Sequence, residues 1–118
     1  MRDHLNLRAF ELADEIAIEV YRITQKFPKE EMYGLTAQIR RAAISVPSNI
    51  VEGCTRKSQK DFYRFLEIAY GSLKELKYQC QLANKLEMVS SNELSFCLAK
   101  FLETEKVLGT LMSKVRTL

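Results

Sequence analysis

The segment YGLTAQIRRAAISVPSNIVEG, Tyr33 to Gly53, decides the fold. Within it Leu35, Ile39, Ala42, Ala43, Val46 and Ile50 recur at steps of three and four, the spacing that lines one face of an α-helix. Polar and small residues fill the opposite face, so the segment reads as one amphipathic helix with an apolar stripe to bury. That helix is expected over about residues 30–52, with Gly53 just past its C-terminus, where glycine is favoured. Pro47 lies inside it. A proline there removes the hydrogen bond to the Ala43 carbonyl and crowds that turn, so a kink, or failing that a break, is expected near Ala43 to Pro47.

Working outward, the same spacing continues on both sides. Upstream, Phe10, Ala13, Ala17, Val20, Thr24 and Phe27 share a face, which predicts a helix over about 5–26 that stops at Phe27-Pro28. Downstream, Ser58 can cap a helix over about 58–86, with Asp61 at the positive end of its dipole and a stripe from Phe62 to Leu86. Ser90 with Glu93 reads as a capping box opening a fourth helix, about 91–116, whose core face includes Cys97, Phe101, Thr104, Leu108, Leu111 and Val115. The connections are all short, which favours antiparallel neighbours. The expected fold class is all-α, an antiparallel up-down-up-down four-helix bundle forming one domain over 1–118.

Several function classes are disfavoured. No apolar run approaches the roughly 18 residues that a membrane span needs, and MRDHLNLRAF is charged where a signal peptide would be apolar, so a cytoplasmic protein is expected. Cys54, Cys80 and Cys97 are odd in number, with no CxxC, and indicate neither a disulfide framework nor a metal site. The one histidine, His4, sits near the terminus. No serine or cysteine has an evident base and no phosphate-binding glycine loop is present, so no catalytic residue and no cofactor is expected, and the protein is read as not an enzyme.

The net charge of +3 is too small to make the whole surface basic, so any affinity for nucleic acid must be local. Alternating helix directions would bring Met1, the Gly53 to Ser58 turn and Leu118 to one end. That end would gather Arg2, Arg8, Arg56, Lys57, Lys60, Arg64, Lys114 and Arg116 against Asp3, Glu11, Glu52 and Asp61. The charges at the other end cancel. Arg56, Lys57 and Lys60 are the first candidates for phosphate contacts, joined by Arg64, Arg8, Lys114 and Arg116, and Tyr63 could stack on a base or serve an oligomer contact. A second set, Arg41, Ser45, Asn49 and Glu52, reads as a structural polar cluster beside Pro47 that could satisfy backbone groups freed by the kink. Arg41 is expected to pair with Glu52 or with Glu75 of the next helix.

Leu12, Ile16, Ile18 and Ile23, with Tyr63 and Tyr70, lie off the main stripes and point to self-association. Beyond these readings, YGLTAQIRRAAISVPSNIVEG followed by RFLEIAYGSLKEL (Arg64 to Leu76) resembles the four-helix-bundle family of 23S rRNA intervening-sequence proteins. The matching residues are Gln38, Arg40, Arg41, Ala42, Ser45, Pro47, Asn49, Ile50, Glu52 and Gly53, then Phe65, Ala69, Gly71, Ser72 and Glu75. The resemblance implies a left-handed bundle assembling as a ring-shaped homopentamer with a basic face. A distantly similar bundle is the accessory protein of diversity-generating retroelements, where it binds nucleic acid and a reverse transcriptase. The function expected is a cyclic homo-oligomer whose basic pole binds RNA or structured nucleic acid through phosphates. The alternative is an adaptor that docks a protein partner such as a reverse transcriptase.

Overall fold

The structure is a computed structural model that describes residues 2–116. Four helices, α1 (Arg8–Thr24), α2 (Leu35–Cys54), α3 (Gln59–Lys85) and α4 (Ser91–Arg116), account for most of it, and no strand occurs among the described residues. Met1 and Leu118, whose approach was expected, lie outside the described residues.

Where helix starts are set by local capping, they fall where the pattern places them. Ser58 Oγ accepts the Asp61 amide at 3.0 Å, opening α3. Ser90 Oγ accepts the Glu93 amide at 3.1 Å, and Glu93 reaches back to the Ser90 amide at 3.4 Å. Each cap satisfies amides that the first turn leaves without helical partners. At the end of α3, Glu87 adopts φ 63° while the Met88 amide bonds Ala83 and the Glu87 amide bonds Asn84. This is the paired geometry that closes a helix through a left-handed residue, here without the usual glycine.

The first two helices begin later than their periodicity predicts. Residues His4–Asn6 form a 3-10 turn capped by Asp3, and α1 starts at Arg8, not Leu5. Lys29–Glu31 form another 3-10 turn, and α2 starts at Leu35, not Glu30. The acidic pair Glu30 and Glu31 suits a first turn, but Glu31 instead lends its carboxylate to the Leu35 amide from outside the helix, at 3.2 Å. The helix runs without a break through Pro47, which is buried. It also runs through Gly53 to Cys54, where Thr55 ends it by bonding the Glu52 carbonyl with both amide and hydroxyl. Gly53 is therefore not a terminator. A Cβ built on it would lie 2.9 Å from Phe65 Cβ and 3.2 Å from Phe62 Cδ1, so its bare backbone is what lets α2 and α3 approach.

Packing follows the sequence order. Each helix touches two others, α1 with α2 and α4, α3 with α2 and α4. Side-chain pairs trace three of the four seams: Arg8 meets Glu103, Glu15 meets Lys100, and Lys26 meets Glu93, so numbers fall along α4 as they rise along α1. Ser45 meets Ser72 while Gly53 meets Phe62 and Phe65, and Lys74 meets Glu105 while Asn84 meets Ser91. One buried cluster runs through all four helices, with Ile39, Ile50, Leu66, Leu73, Leu76 and Leu108 fully inside. Truncating any one of these to alanine costs about 2–5 kcal/mol.

Three side chains read as surplus are buried: Ile16 and Ile23 belong to this core, and Leu12 is buried too. Of that set only Ile18 is exposed. Tyr63 and Tyr70 are half-buried against the core rather than projecting from it. A helix packed against two neighbours buries a wider arc than the seam with either one alone, which is why these positions fill in.

Candidate nucleic-acid interface

The N-terminal arm, the turn between α2 and α3 and the end of α4 meet at one end of the molecule. Arg2 crosses the turn, donating from Nη1 to the Arg56 carbonyl at 2.7 Å and from Nη2 to Gln59 Oε1. Its guanidinium lies 4.1 Å from the Phe62 ring centroid, and that of Arg56 lies 4.6 Å from Phe65. Two arginines are thus stacked on two phenylalanines, the buried Phe62 and the half-buried Phe65, which orders long side chains that would otherwise be mobile. Arg56 Nε is buried with no hydrogen-bond partner among the described residues.

Two hollows open beside this arm. One, of about 600 Å³, is lined by Arg2, Thr55, Arg56 and Lys57. The other, of about 300 Å³, is lined by Gln59, Lys60, Tyr63, Val115 and Arg116. They adjoin, because Gln59 lines the second and holds Arg2 of the first. Lys57 and Lys60 flank the N-terminus of α3, where the helix dipole is already positive, and Arg64 follows one turn later. Among the described residues Lys57, Lys60, Arg64 and Arg116 make no ion pair, although all four are exposed.

Two candidates differ from expectation. Arg8 is spent on Glu11 at 2.5 Å and on Glu103 at 3.3 Å, so it belongs to the α1–α4 seam. Arg56 pairs with Glu52 at 3.3 Å while stacking on Phe65, so part of its charge is compensated. Lys114 is exposed near the end of α4 and has interactions of its own. Arg2 was counted at this end, but its place across the turn could not be read from an isolated arginine before any helix.

The polar cluster also rearranges. Ser45 Oγ and Ser72 Oγ share a hydrogen bond of 2.7 Å across α2 and α3, and Asn49 donates to the Ser45 carbonyl at 2.8 Å and to its hydroxyl at 3.0 Å. The cluster therefore serves Ser45, not the Ala43 carbonyl opposite Pro47. Arg41 bonds Gln38 and touches neither Glu52 nor Glu75. Eleven residues separate Arg41 from Glu52, about 16 Å along a helix and beyond the reach of that pair. Glu52 is taken by Arg56, and Glu75 accepts from Gln79. Its neighbour instead ties α2 to α1: Arg40 Nε donates to Thr24 Oγ1 at 2.8 Å and stacks 4.7 Å from Tyr21. Glu105, buried beside Lys74 at 3.3 Å and Lys77 at 3.8 Å, joins α3 to α4 and carries no sequence signal beyond its place in the helix.

The three cysteines are buried in the core. Burial pushes the Cys80 thiol up to about 12 and the Cys97 thiol up to about 11, and raises Cys54 as well. No group of three or more His, Cys, Asp or Glu among the described residues is placed to hold a metal ion. No helix among them is long and apolar enough to cross a membrane.

Comparison with known proteins agrees with this architecture. A crystal structure of a protein of unknown function from the S23 ribosomal protein family of Bacteroides thetaiotaomicron has a TM-score of 0.82 at 22% identity, over 89% of this chain and 95% of that one. That degree of likeness establishes the shared fold. No curated protein matches the sequence. The model of the family described as 23S rRNA-intervening sequence protein matches residues 5–110, nearly the whole length, and the chain belongs to that family.

Proposed function

We propose that the protein is an antiparallel up-down-up-down bundle that assembles into a cyclic homo-oligomer and binds RNA or structured nucleic acid through phosphates at its basic pole. One observation carries the reading: Lys57, Lys60, Arg64 and Arg116 are exposed around the positive end of α3 and make no ion pair among the described residues. Cations there oppose the helix dipole and weaken the helix. Elsewhere the exposed charges of α1 and α4 are largely matched, as in Arg8–Glu103 and Lys26–Glu93, so unmatched charge at this end suits a polyanion. Ile18, Ile44, Ile68 and Leu102 stay exposed on four different helices. Apolar surface on more than one flank suits head-to-tail contacts, which close into rings. In this reading the protein is a binding module with no catalytic step, and it works in the cytoplasm.

Anisotropy of labelled RNA over a salt series tests the proposal. Phosphate binding weakens steeply as salt rises, with a slope of about −0.7 to −0.9 per phosphate contacted. The triple reversal Arg56→Glu, Lys57→Glu and Lys60→Glu should abolish binding while leaving the sedimentation coefficient of the assembly unchanged. No binding at low salt would reject the reading. It would favour a second one, in which the protein is an adaptor for a protein partner, for example a reverse transcriptase or another polymerase. That reading has its own support in Met32, Tyr33 and Leu86, which are exposed at the far end.

A further inference from the structure

The two hollows at the basic pole differ in chemistry, and the difference bears on which form of nucleic acid they take. The larger is cationic throughout apart from Thr55, and suits a phosphate. The smaller has a tyrosine ring, an apolar wall from Val115 and the amide of Gln59, with Lys60 and Arg116 at its edge. Its volume of about 300 Å³ holds a planar base but not a base pair with its backbones. The Tyr63 hydroxyl makes no hydrogen bond among the described residues, and its ring is fixed by packing against the core. A fixed aromatic ring beside cations is the platform on which single-stranded nucleic acid stacks its bases.

From this juxtaposition we infer that the pole grips one unpaired nucleotide, its base against Tyr63 and its phosphate in the hollow between Arg2 and Arg56. The ligand class is therefore single-stranded RNA, or an unpaired loop or end, in preference to a duplex. This deepens the phosphate-binding reading and rests on it. Paired bases are stacked within their helix and cannot enter a side pocket, whereas an unpaired base can swing out. Arg2 becomes a ligand-positioning residue: its two bonds to the turn hold the guanidinium on Phe62 at the junction of the hollows. Lysine cannot replace it, because an ammonium has no planar fork to stack and bond at once.

The test compares a short single-stranded RNA with the blunt duplex of the same length, at several salt concentrations, on the full-length protein. Charge density alone favours the duplex, so preference for the single strand is diagnostic. We expect the single strand to bind about tenfold tighter, the contribution of one stacked base. Tyr63→Leu should remove that preference with the salt slope unchanged, while Tyr63→Phe, which keeps the ring, should retain it. Arg2→Lys should weaken the single strand severalfold with no change in helix content. Salt-dependent binding that favours the duplex, or that Tyr63→Leu leaves untouched, overturns this inference and leaves the phosphate reading standing. Absence of any RNA binding at low salt overturns both.

Discussion

Replacing glycine by alanine at three helical positions should give changes of opposite sign, although the chemical change is the same. Gly53, Gly71 and Gly109 all lie within helices. Alanine is better than glycine in a helix interior by about 0.8–1 kcal/mol. At Gly71 and Gly109 a new Cβ meets nothing within 4 Å, so Gly71→Ala and Gly109→Ala should each gain most of that amount. At Gly53 the Cβ lies 2.9 Å from Phe65 Cβ. The obstructing atom is fixed to the α3 backbone, so relief requires the helices to separate, and overpacking of this kind costs about 1–3 kcal/mol. Gly53 stands one residue from the end of α2, where the propensity gain is smaller, so the overpacking should prevail and Gly53→Ala should be destabilised by up to about 2 kcal/mol. Urea unfolding followed by circular dichroism reads all three, with the midpoint moving and the slope constant. A Gly53→Ala protein as stable as the parent would refute the claim that this glycine sets the α2–α3 approach, and a destabilised Gly109→Ala would refute the assignment of open space there.

Other expected outcomes follow from caps, titration and burial. Ser90→Ala removes a reciprocal cap and should lower stability by about 1 kcal/mol in urea unfolding, with Ser58→Ala close behind. Glu87→Gly should raise it by about 1 kcal/mol, because glycine adopts φ 63° without the penalty a Cβ brings. The Lys26 ammonium holds the Glu93 carboxyl below its ordinary value of 4.5, with help from Ser90, and Lys100 does the same for Glu15. A lowered folded-state pKa contributes stability that is present above that ordinary value and lost as pH falls through the folded one, so unfolding midpoints should drop on acidification below about pH 4.5. Glu93→Gln should flatten that fall. Cys80 and Cys97 should resist iodoacetamide at neutral pH in the native protein and react fully in denaturant, since the thiolate is the reactive form and burial suppresses it.

What could be read from sequence divides by range. Ser58 with Asp61 and Ser90 with Glu93 are local signals, decided within one turn, and both hold in the folded chain. The start of α2 escaped because Glu30 and Glu31 suit a first turn equally well from inside or outside the helix. Gly53 escaped because its role depends on Phe65, which its own segment does not contain. Likewise Arg40 and Arg41 are adjacent and chemically identical, and only the position of Thr24 across the seam singles out Arg40. At the basic pole, the meeting of arm, turn and α4 was legible because short loops leave few ways to arrange four helices. The loss of Arg8 to Glu103 was not, since the partner stands 95 residues away.

The α1–α4 seam adds partly exposed ion pairs, Arg8–Glu103, Glu15–Lys100 and Lys26–Glu93, to its share of the buried core, while α2 and α3 close by contact between backbone and ring. Brine slackens the first kind of fastening and leaves the second taut. Because α1 also carries the arm that delivers Arg2, the proposed binding of a polyanion would feel added electrolyte twice, through competition at the phosphates and through a loosened tether for one of the anchors. Affinity should then decline with ionic strength more steeply than a tally of phosphates alone would indicate.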